Sequence, residues 1–371
     1  MRRVLLLIFL LLAAAALTVL PGCGGALGAG ADDGGDDAIG GDDAPPAPDG
    51  GGWHGDGLPP DPLAARPGVV VYWGQTGWGG AHPAEPDGWE PSLAEVCAAP
   101  SYDVVVLGFV TSFVSARNGG LPETNFSYHC EQPIDVDHPF LLRCPEMEAG
   151  IAACHAAGKK VLISLGGAAG AYGFTDDAQA EAFATTVWDT FLGGDGARRP
   201  FGDQVLDGVD LDVEGGGPAG YAAFARALRG RMDAAGDGWL LTAAPQCPYP
   251  DGHLGPAPGT ALGDAADAFD YVFVQFYNNW CRASSGAPFD DSYAAWRALA
   301  GAGGPRVVVG LPATPDAAPA GGYVAPEALA PLLDGVAGDP AFAGVMLWDA
   351  SFDRHSGAPT YAARAAALLG D

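Results

Sequence analysis

Leu206-Asp207-Gly208-Val209-Asp210-Leu211-Asp212-Val213-Glu214 alternates apolar and acidic side chains. In a β-strand, successive side chains point to opposite faces, so Asp210, Asp212 and Glu214 share one face and Val209, Leu211 and Val213 the other. Same-face neighbours stand roughly 6.6 Å apart, too close for all three carboxyls to ionise cheaply, so protons are shared and pKa values spread. An exposed strand would gain nothing from this arrangement. A barrel strand would turn its valines and leucine toward surrounding helices and its acids inward. Glu214 then falls at the strand's C-terminal end, just before Gly215-Gly216-Gly217, where barrel enzymes keep reactive groups. A cation site made from the three carboxylates is the weaker reading, because no calcium-type loop or His cluster accompanies them.

Outward from this stretch, short β-branched runs alternate with Ala-rich helical stretches. The runs are 69–73, 103–109, 160–165, the acidic strand, 239–244, 271–276, 306–311 and 344–348. Helical patterns occupy 147–157, 177–192, 218–234, 293–300, 326–337 and 359–369. Strand–helix alternation predicts a parallel sheet covered on both faces, and eight strands in about 300 residues predict an α/β fold, a single (β/α)8 TIM barrel. An open doubly wound sheet is disfavoured, since no dinucleotide-type glycine fingerprint follows the first strand. The strand C-termini collect Tyr72 and Gln75, Ser164 to Gly167, the three acids, Gln246, Gln275 with Tyr277 and Asn278, and Trp348. Acids, amides and aromatic faces in one cleft suit a carbohydrate, whose rings have apolar faces and whose hydroxyls match amides.

The chain's 371 residues carry a net charge of −28, which argues against nucleic acid and anionic membrane surfaces as partners. No cofactor or metal is expected, and the protein is expected to be a monomer. Residues 1–22 read as an export signal: Arg2 and Arg3, an apolar run from Val4 to Leu20, then Pro21-Gly22-Cys23. Cys23 after a small residue resembles a bacterial lipoprotein cleavage site, with Cys23 lipidated and the product exported and held on a membrane or cell surface by that anchor alone. An ordinary secretory signal is the alternative. Seven cysteines are an odd number for an exported protein; setting Cys23 aside leaves Cys97, Cys130, Cys144, Cys154, Cys247 and Cys281, enough for three disulfides. Residues 23–67, rich in Gly, Asp and Pro, read as a disordered linker, and 68–371 as the catalytic barrel.

Asp207-x-x-Asp210-x-Asp212-x-Glu214 resembles the signature of glycoside hydrolase family 18. Ser164-Leu165-Gly166-Gly167 resembles its second motif. Tyr72-Trp73-Gly74-Gln75, Thr242 to Pro248, Val274 to Asn279 and Gly344 to Trp348 are similar to the class III, hevamine-like chitinases. The resemblance implies disulfides Cys97–Cys154, Cys130–Cys144 and Cys247–Cys281. It also implies chitin or its oligosaccharides as substrate. Glu214 would be the general acid and then base, and Asp212 the partner of the 2-acetamido nitrogen. Asp210 would share a proton with Asp212. Tyr277 would position the acetamido group and Trp348 would floor the distorted sugar. Tyr72, Gln75, Gly167, Gln246, Gln275 and Asn278 would contact substrate. Asp207, of opposite parity, is expected to be structural. The loop from Thr76 to Pro91, with Trp78 and Trp89, is expected either to extend the groove or to pack over the barrel edge. Other expectations for the same fold are activity on another acetamido sugar, as in a glycoprotein core or peptidoglycan, and a non-catalytic lectin or inhibitor.

Overall fold

The computed structural model describes residues 58–85 and 89–370. Contacts divide the chain into Met1–Asp49 and Gly50–Asp371, and every described residue falls in the second unit. The expected export signal, Cys23 and most of the linker lie outside the described residues.

Eight parallel strands follow the alternation read from the sequence: β1 (Gly68–Trp73), β2 (Val104–Ser112), β3 (Lys160–Gly167), β4 (Gly208–Val213), β5 (Leu240–Ala243), β6 (Tyr271–Gln275), β7 (Arg306–Pro312) and β8 (Phe342–Trp348). Each pairs with its sequence neighbour, and β1 pairs with both β8 and β2, so the sheet closes as a (β/α)8 barrel. Period-two alternation sorts the side chains into two cores. Val209, Leu211 and Val213 of β4 join an outer cluster with Phe183 and Val187 of helix Asp177–Phe191 and with Phe224 and Leu228 of helix Tyr221–Ala235. An inner cluster holds Val70, Val106, Leu162, Phe273, Val308 and Met346. The valines and leucine of β4 thus face the helices, leaving the inward face to the acids. Fully burying one such side chain stabilises by about 1.5–3 kcal/mol, and truncating Phe224 to Ala would cost about 3–5 kcal/mol.

The register of β4 sets up the site. Asp210 lies opposite Ser164 of β3 and Thr242 of β5, while Asp212 lies opposite Gly166. At the other end of the barrel, fully buried Asp207 accepts from His155 Nε2 at 2.9 Å, the Val161 amide at 2.7 Å and Lys160 Nζ at 3.4 Å. It ties β4 to β3 on the face away from the cleft.

Described residues ahead of Gly68, from Leu58 on, also pack against the barrel. Residues Pro62–Ala65 form a short helix whose N-cap Asp61 accepts the Leu63 amide at 2.9 Å, and Leu63 is fully buried in the inner cluster. The Asp61 carboxylate also accepts from Tyr271 Oη at 2.6 Å, so this segment plugs the bottom of the barrel. Three disulfides link Cys97–Cys154, Cys130–Cys144 and Cys247–Cys281. The second closes a small hairpin of Gln132–Pro133 against Leu142–Arg143 in the long β2–β3 connection.

Candidate active site

Asp210 is fully buried, and both oxygens of its carboxyl have donors. Tyr72 Oη and Ser164 Oγ both donate to Oδ2 at 2.7 Å, and Thr242 Oγ1 donates to Oδ1 at 2.7 Å. Three hydroxyl donors satisfy a carboxylate, which only accepts, better than a carboxylic acid. Burial raises the Asp210 pKa, and the hydroxyls from Ser164, Tyr72 and Thr242 oppose that rise. Asp212, next along the same face, accepts from Gln275 Nε2 at 2.9 Å. Burial first, then the charges of Glu214, Asp210 and Asp251, hold its carboxyl well above the usual range. Burial thus raises both aspartates, Asp212 further, while the three hydroxyl donors favour the charged form of Asp210.

Glu214 ends the row. Burial raises its pKa; the Gln246 side chain, donating from 3.5 Å, opposes this, Asp251 adds to it and His253 lowers it. Its backbone is held by Tyr172, whose hydroxyl accepts the Glu214 amide at 3.0 Å and donates to the Gly167 carbonyl at 2.7 Å. Close approach of β3 and β4 here requires Gly166: its φ is +123°, and a Cβ would sit 2.0 Å from the Asp212 carbonyl oxygen.

These acids open into a cleft of about 160 Å³ lined by Tyr72, Asp212, Glu214, Gln246, Gln275, Tyr277, Asn278, Asn279, Ala317 and Trp348, with Ala168 completing the wall. The strand-end residues Tyr72, Gln246, Gln275, Tyr277, Asn278 and Trp348 therefore converge on Asp212 and Glu214. Trp348 and Tyr72 pack with ring centroids 5.7 Å apart, and Phe109 backs both at 6.1 Å, giving an aromatic floor. Burial, then the neighbouring Asp212 and Glu214 charges, push the Tyr277 phenol well up, so it remains a neutral donor. Asn279 Nδ2 donates to Gln246 Oε1 at 3.0 Å, which orients the Gln246 amide toward Glu214.

Two expected contacts lie elsewhere. Gln75 turns away and donates from Nε2 to the carbonyls of Gly108 at 2.8 Å and Asn125 at 2.9 Å, so its amide satisfies backbone acceptors rather than lining the cleft. Gly167, at φ +85°, lies under the Phe109 ring, and its carbonyl is taken by Tyr172. Both tryptophans of the loop after β1 are packed, and Trp78 lies on the cluster that holds the cleft-lining Ala317 and Trp348. Trp78 is stacked between His82 and His355 at centroid distances of 3.8 and 3.9 Å, and Trp89 lies against Tyr128 at 5.8 Å. Glu90 anchors that loop from beneath, accepting the amides of Gly74 at 3.2 Å and Thr76 at 3.1 Å and facing His129 Nε2 at 2.7 Å.

Three functional neighbours carried no sequence signal: Tyr172, Asp251 and His253. Asp251 is buried and accepts the amides of Gln246, His253 and Leu254 at 3.3, 2.9 and 2.7 Å. His253 Nδ1 lies 3.1 Å from the Gly216 carbonyl and covers the glycine loop after Glu214. Among the described residues no cluster of three or more His, Cys, Asp or Glu could hold a metal ion, and no helix is long and apolar enough to cross a membrane. Chemically, the cleft offers one proton donor at its rim, a buried acid behind it, a neutral phenol and an apolar floor. Among the described residues, the carboxylates that line the cleft are Asp212 and Glu214, both from one strand end.

Residues 68–318 match the family described as Glycosyl hydrolases family 18. The chain is 41% identical over 290 residues to Chitinase 1 of Rhizopus niveus, covering 76% of this chain and 54% of that protein. It is 38% identical over 292 residues to an acidic endochitinase of Cicer arietinum, covering 78% of this chain and 89% of that one. The chain thus spans about half the length of the Rhizopus relatives that it matches. A crystal structure of a chitinase from Ipomoea carnea superposes with a TM-score of 0.66 at 30% identity, covering 81% of this chain and all of the other (100%). A xylanase and α-amylase inhibitor protein from Scadoxus multiflorus superposes nearly as well, with a TM-score of 0.65 at 32% identity, covering 82% of this chain and 98% of the other.

Proposed function

Because the chain belongs to the glycosyl hydrolases of family 18, we propose that it is a chitinase that cuts β-1,4-linked N-acetylglucosamine chains with retention of anomeric configuration. The observation that carries this reading is the single file of Asp210, Asp212 and Glu214, with only Glu214 and Asp212 reaching the cleft. A retaining glycosidase with its own nucleophile needs a second carboxylate roughly 5–5.5 Å from the acid on the far side of the sugar. Beside Glu214 and Asp212, the described lining offers amides and the rings of Tyr72, Tyr277 and Trp348 rather than a further carboxylate. Family 18 is a known substrate-assisted exception, and the arrangement suits it.

In the proposed reaction Glu214 gives its proton to the glycosidic oxygen as the bond to C1 breaks. The substrate's acetamido oxygen forms the new bond to C1. Asp212 accepts a hydrogen bond from the acetamido N–H, and the charge on Asp210 favours the positive ring that results. Tyr277 donates to the acetamido oxygen, and Trp348 holds the distorted sugar. A water molecule then attacks C1, giving its proton back to Glu214 and releasing the acetamido oxygen. General acid–base catalysis of this kind supplies typically about 10²–10⁴-fold.

Similarity to an inhibitor supports a second reading, a sugar-binding protein without turnover, but the carboxyl row of this chain is complete. A product profile on chitotetraose, run beside glycoprotein and cell-wall substrates, separates the readings. Shorter chitin oligomers as products support the chitinase. Cleavage confined to another substrate moves the specificity to a different acetamido sugar, and tight binding with no cleavage anywhere contradicts an enzyme.

We also propose export with a lipid anchor at Cys23, the barrel acting as a monomer beyond an acidic tether. The six other cysteines all pair among themselves, which leaves Cys23 for another chemistry. Cys23→Ala should release soluble, unlipidated protein; a lipidated, membrane-bound product by mass spectrometry and fractionation would contradict the anchor site. Sedimentation of the released barrel should give one chain's mass.

A further inference from the structure

Two loops beside the acid repeat one pattern. After β5 come Gln246, Cys247 and Tyr249; after β6 come Asn279, Trp280 and Cys281. In each, an amide lines the cleft, a cysteine is fully buried and an aromatic ring is left in solvent. The amides are joined by the 3.0 Å bond from Asn279 to Gln246. The cysteines are joined by a disulfide with their Cα atoms 5.9 Å apart. Trp280 is 60% exposed and Tyr249 39%, among the few large apolar side chains so open in the described barrel.

An exposed Trp is costly to leave in water, and a floppy one would gain little on binding. Trp280 is not on a floppy loop. The Arg282 amide closes a turn onto the Asn279 carbonyl at 3.2 Å, the Ala283 amide reaches the Phe276 carbonyl at 2.8 Å, and the Asn278 amide reaches the Gly321 carbonyl at 2.7 Å. Tyr249 is likewise braced, its ring edge-on to buried Trp296 at 5.0 Å. The backbone that carries Trp280 and the ring of Tyr249 are held before any ligand arrives, which lowers the ordering cost of binding.

The loops also have a defined side. Asn279 reaches Gln246, and Gln246 reaches Glu214, so the loops after β5 and β6 lead to the acid, whereas the aromatic floor of Trp348, Tyr72 and Phe109 comes from β8, β1 and β2 on another arc of the barrel. We propose that Trp280, with Tyr249 of the disulfide-linked neighbouring loop, is a stacking platform for pyranose rings of the polysaccharide on the leaving-group side of the cut bond. This deepens and rests on the chitinase reading. The amides would meet the first sugar beyond the bond, and Trp280 the chain that continues past them.

The test compares kcat/KM on chitohexaose with kcat/KM on a chitobiose bearing a small fluorogenic leaving group, which has no sugar beyond the cut. In Trp280→Ala the ratio of the two should fall about tenfold, through KM for the hexamer, as expected for one lost stacking contact. Trp280→Phe should restore most of the ratio, and Tyr249→Ala should lower it less. An unchanged ratio in Trp280→Ala, or equal losses on both substrates, would overturn the platform. If the wild-type protein cleaves neither substrate, the chitinase reading itself fails, a result separate from any change in the ratio.

Discussion

The hydroxyl of Tyr172 accepts the backbone amide of Glu214 at 3.0 Å while donating to the Gly167 carbonyl at 2.7 Å. One phenol thus pins the proposed proton donor to the end of the neighbouring strand. In Tyr172→Phe both backbone groups lose that partner, a loss of about 1–3 kcal/mol for each group left unsatisfied. We expect kcat to drop roughly tenfold or more, with KM for chitohexaose little changed, since Tyr172 does not line the cleft. A variant with wild-type kcat would show that Glu214 is placed without it.

Glu214→Gln keeps the shape of the acid and removes its proton chemistry. Turnover of chitotetraose should fall by at least about 10²–10⁴-fold, while chitohexaose binding by calorimetry persists. Near-wild-type turnover would remove Glu214 from the role of acid.

With burial the larger cause, Asp251 is expected to contribute to the alkaline side of the pH profile. Its negative charge raises the pKa of both Asp212 and Glu214. A general acid works only while protonated, so activity is lost as pH rises through its pKa. Asp251→Asn removes the charge, lowers that pKa and should move the alkaline limb of kcat/KM to lower pH. A limb that stays put, or moves up, would contradict the coupling.

Glu90 and His129 make stability depend on pH far from the chemistry. Burial pushes Glu90 up to about 8 and His129 down to about 4, so between those limits the folded pair holds one proton, on the carboxyl. An unfolded chain has ordinary values near 4.5 and 6.5. Between about 4.5 and 6.5 both states bind one proton and this pair adds no slope. Between about 6.5 and 8 only the folded state keeps it, so stability falls as pH rises, by roughly 2 kcal/mol over that window. Above the folded value near 8 the slope ends. Glu90→Gln should flatten this stretch of the Tm-versus-pH curve; an identical slope in the variant would contradict the assignment.

Much of this was legible in the sequence because parity in a strand is a hard constraint. Val209, Leu211 and Val213 cannot reach the helices without sending Asp210, Asp212 and Glu214 inward. Strand ends likewise located Tyr277, Gln275, Gln246, Asn278 and Trp348. The same rule failed for Gln75, because it fixes which end of the barrel a residue occupies and not where its side chain turns. Two unpaired carbonyls, of Gly108 and Asn125, claimed that amide. Tyr172, Asp251 and His253 were hidden because they sit in loops, where no period links a residue to what it touches. Pro- and Gly-rich surroundings hid Leu58 and Leu63 as residues packed on the barrel. Trp78 had two roles open to it; it stacks between His82 and His355 and packs on the cluster that holds the cleft-lining Ala317 and Trp348.

The central claim is that the sugar's own acetamido oxygen attacks C1, with Glu214 as the only catalytic carboxyl that touches the bond. Cleavage of chitohexaose followed by NMR, with the product anomers resolved before mutarotation, tests it directly. The account predicts β-anomers as the first products, and no cleavage at bonds whose preceding sugar has lost its acetyl group. First products of the α configuration, or equal rates at acetylated and deacetylated sugars, would contradict it.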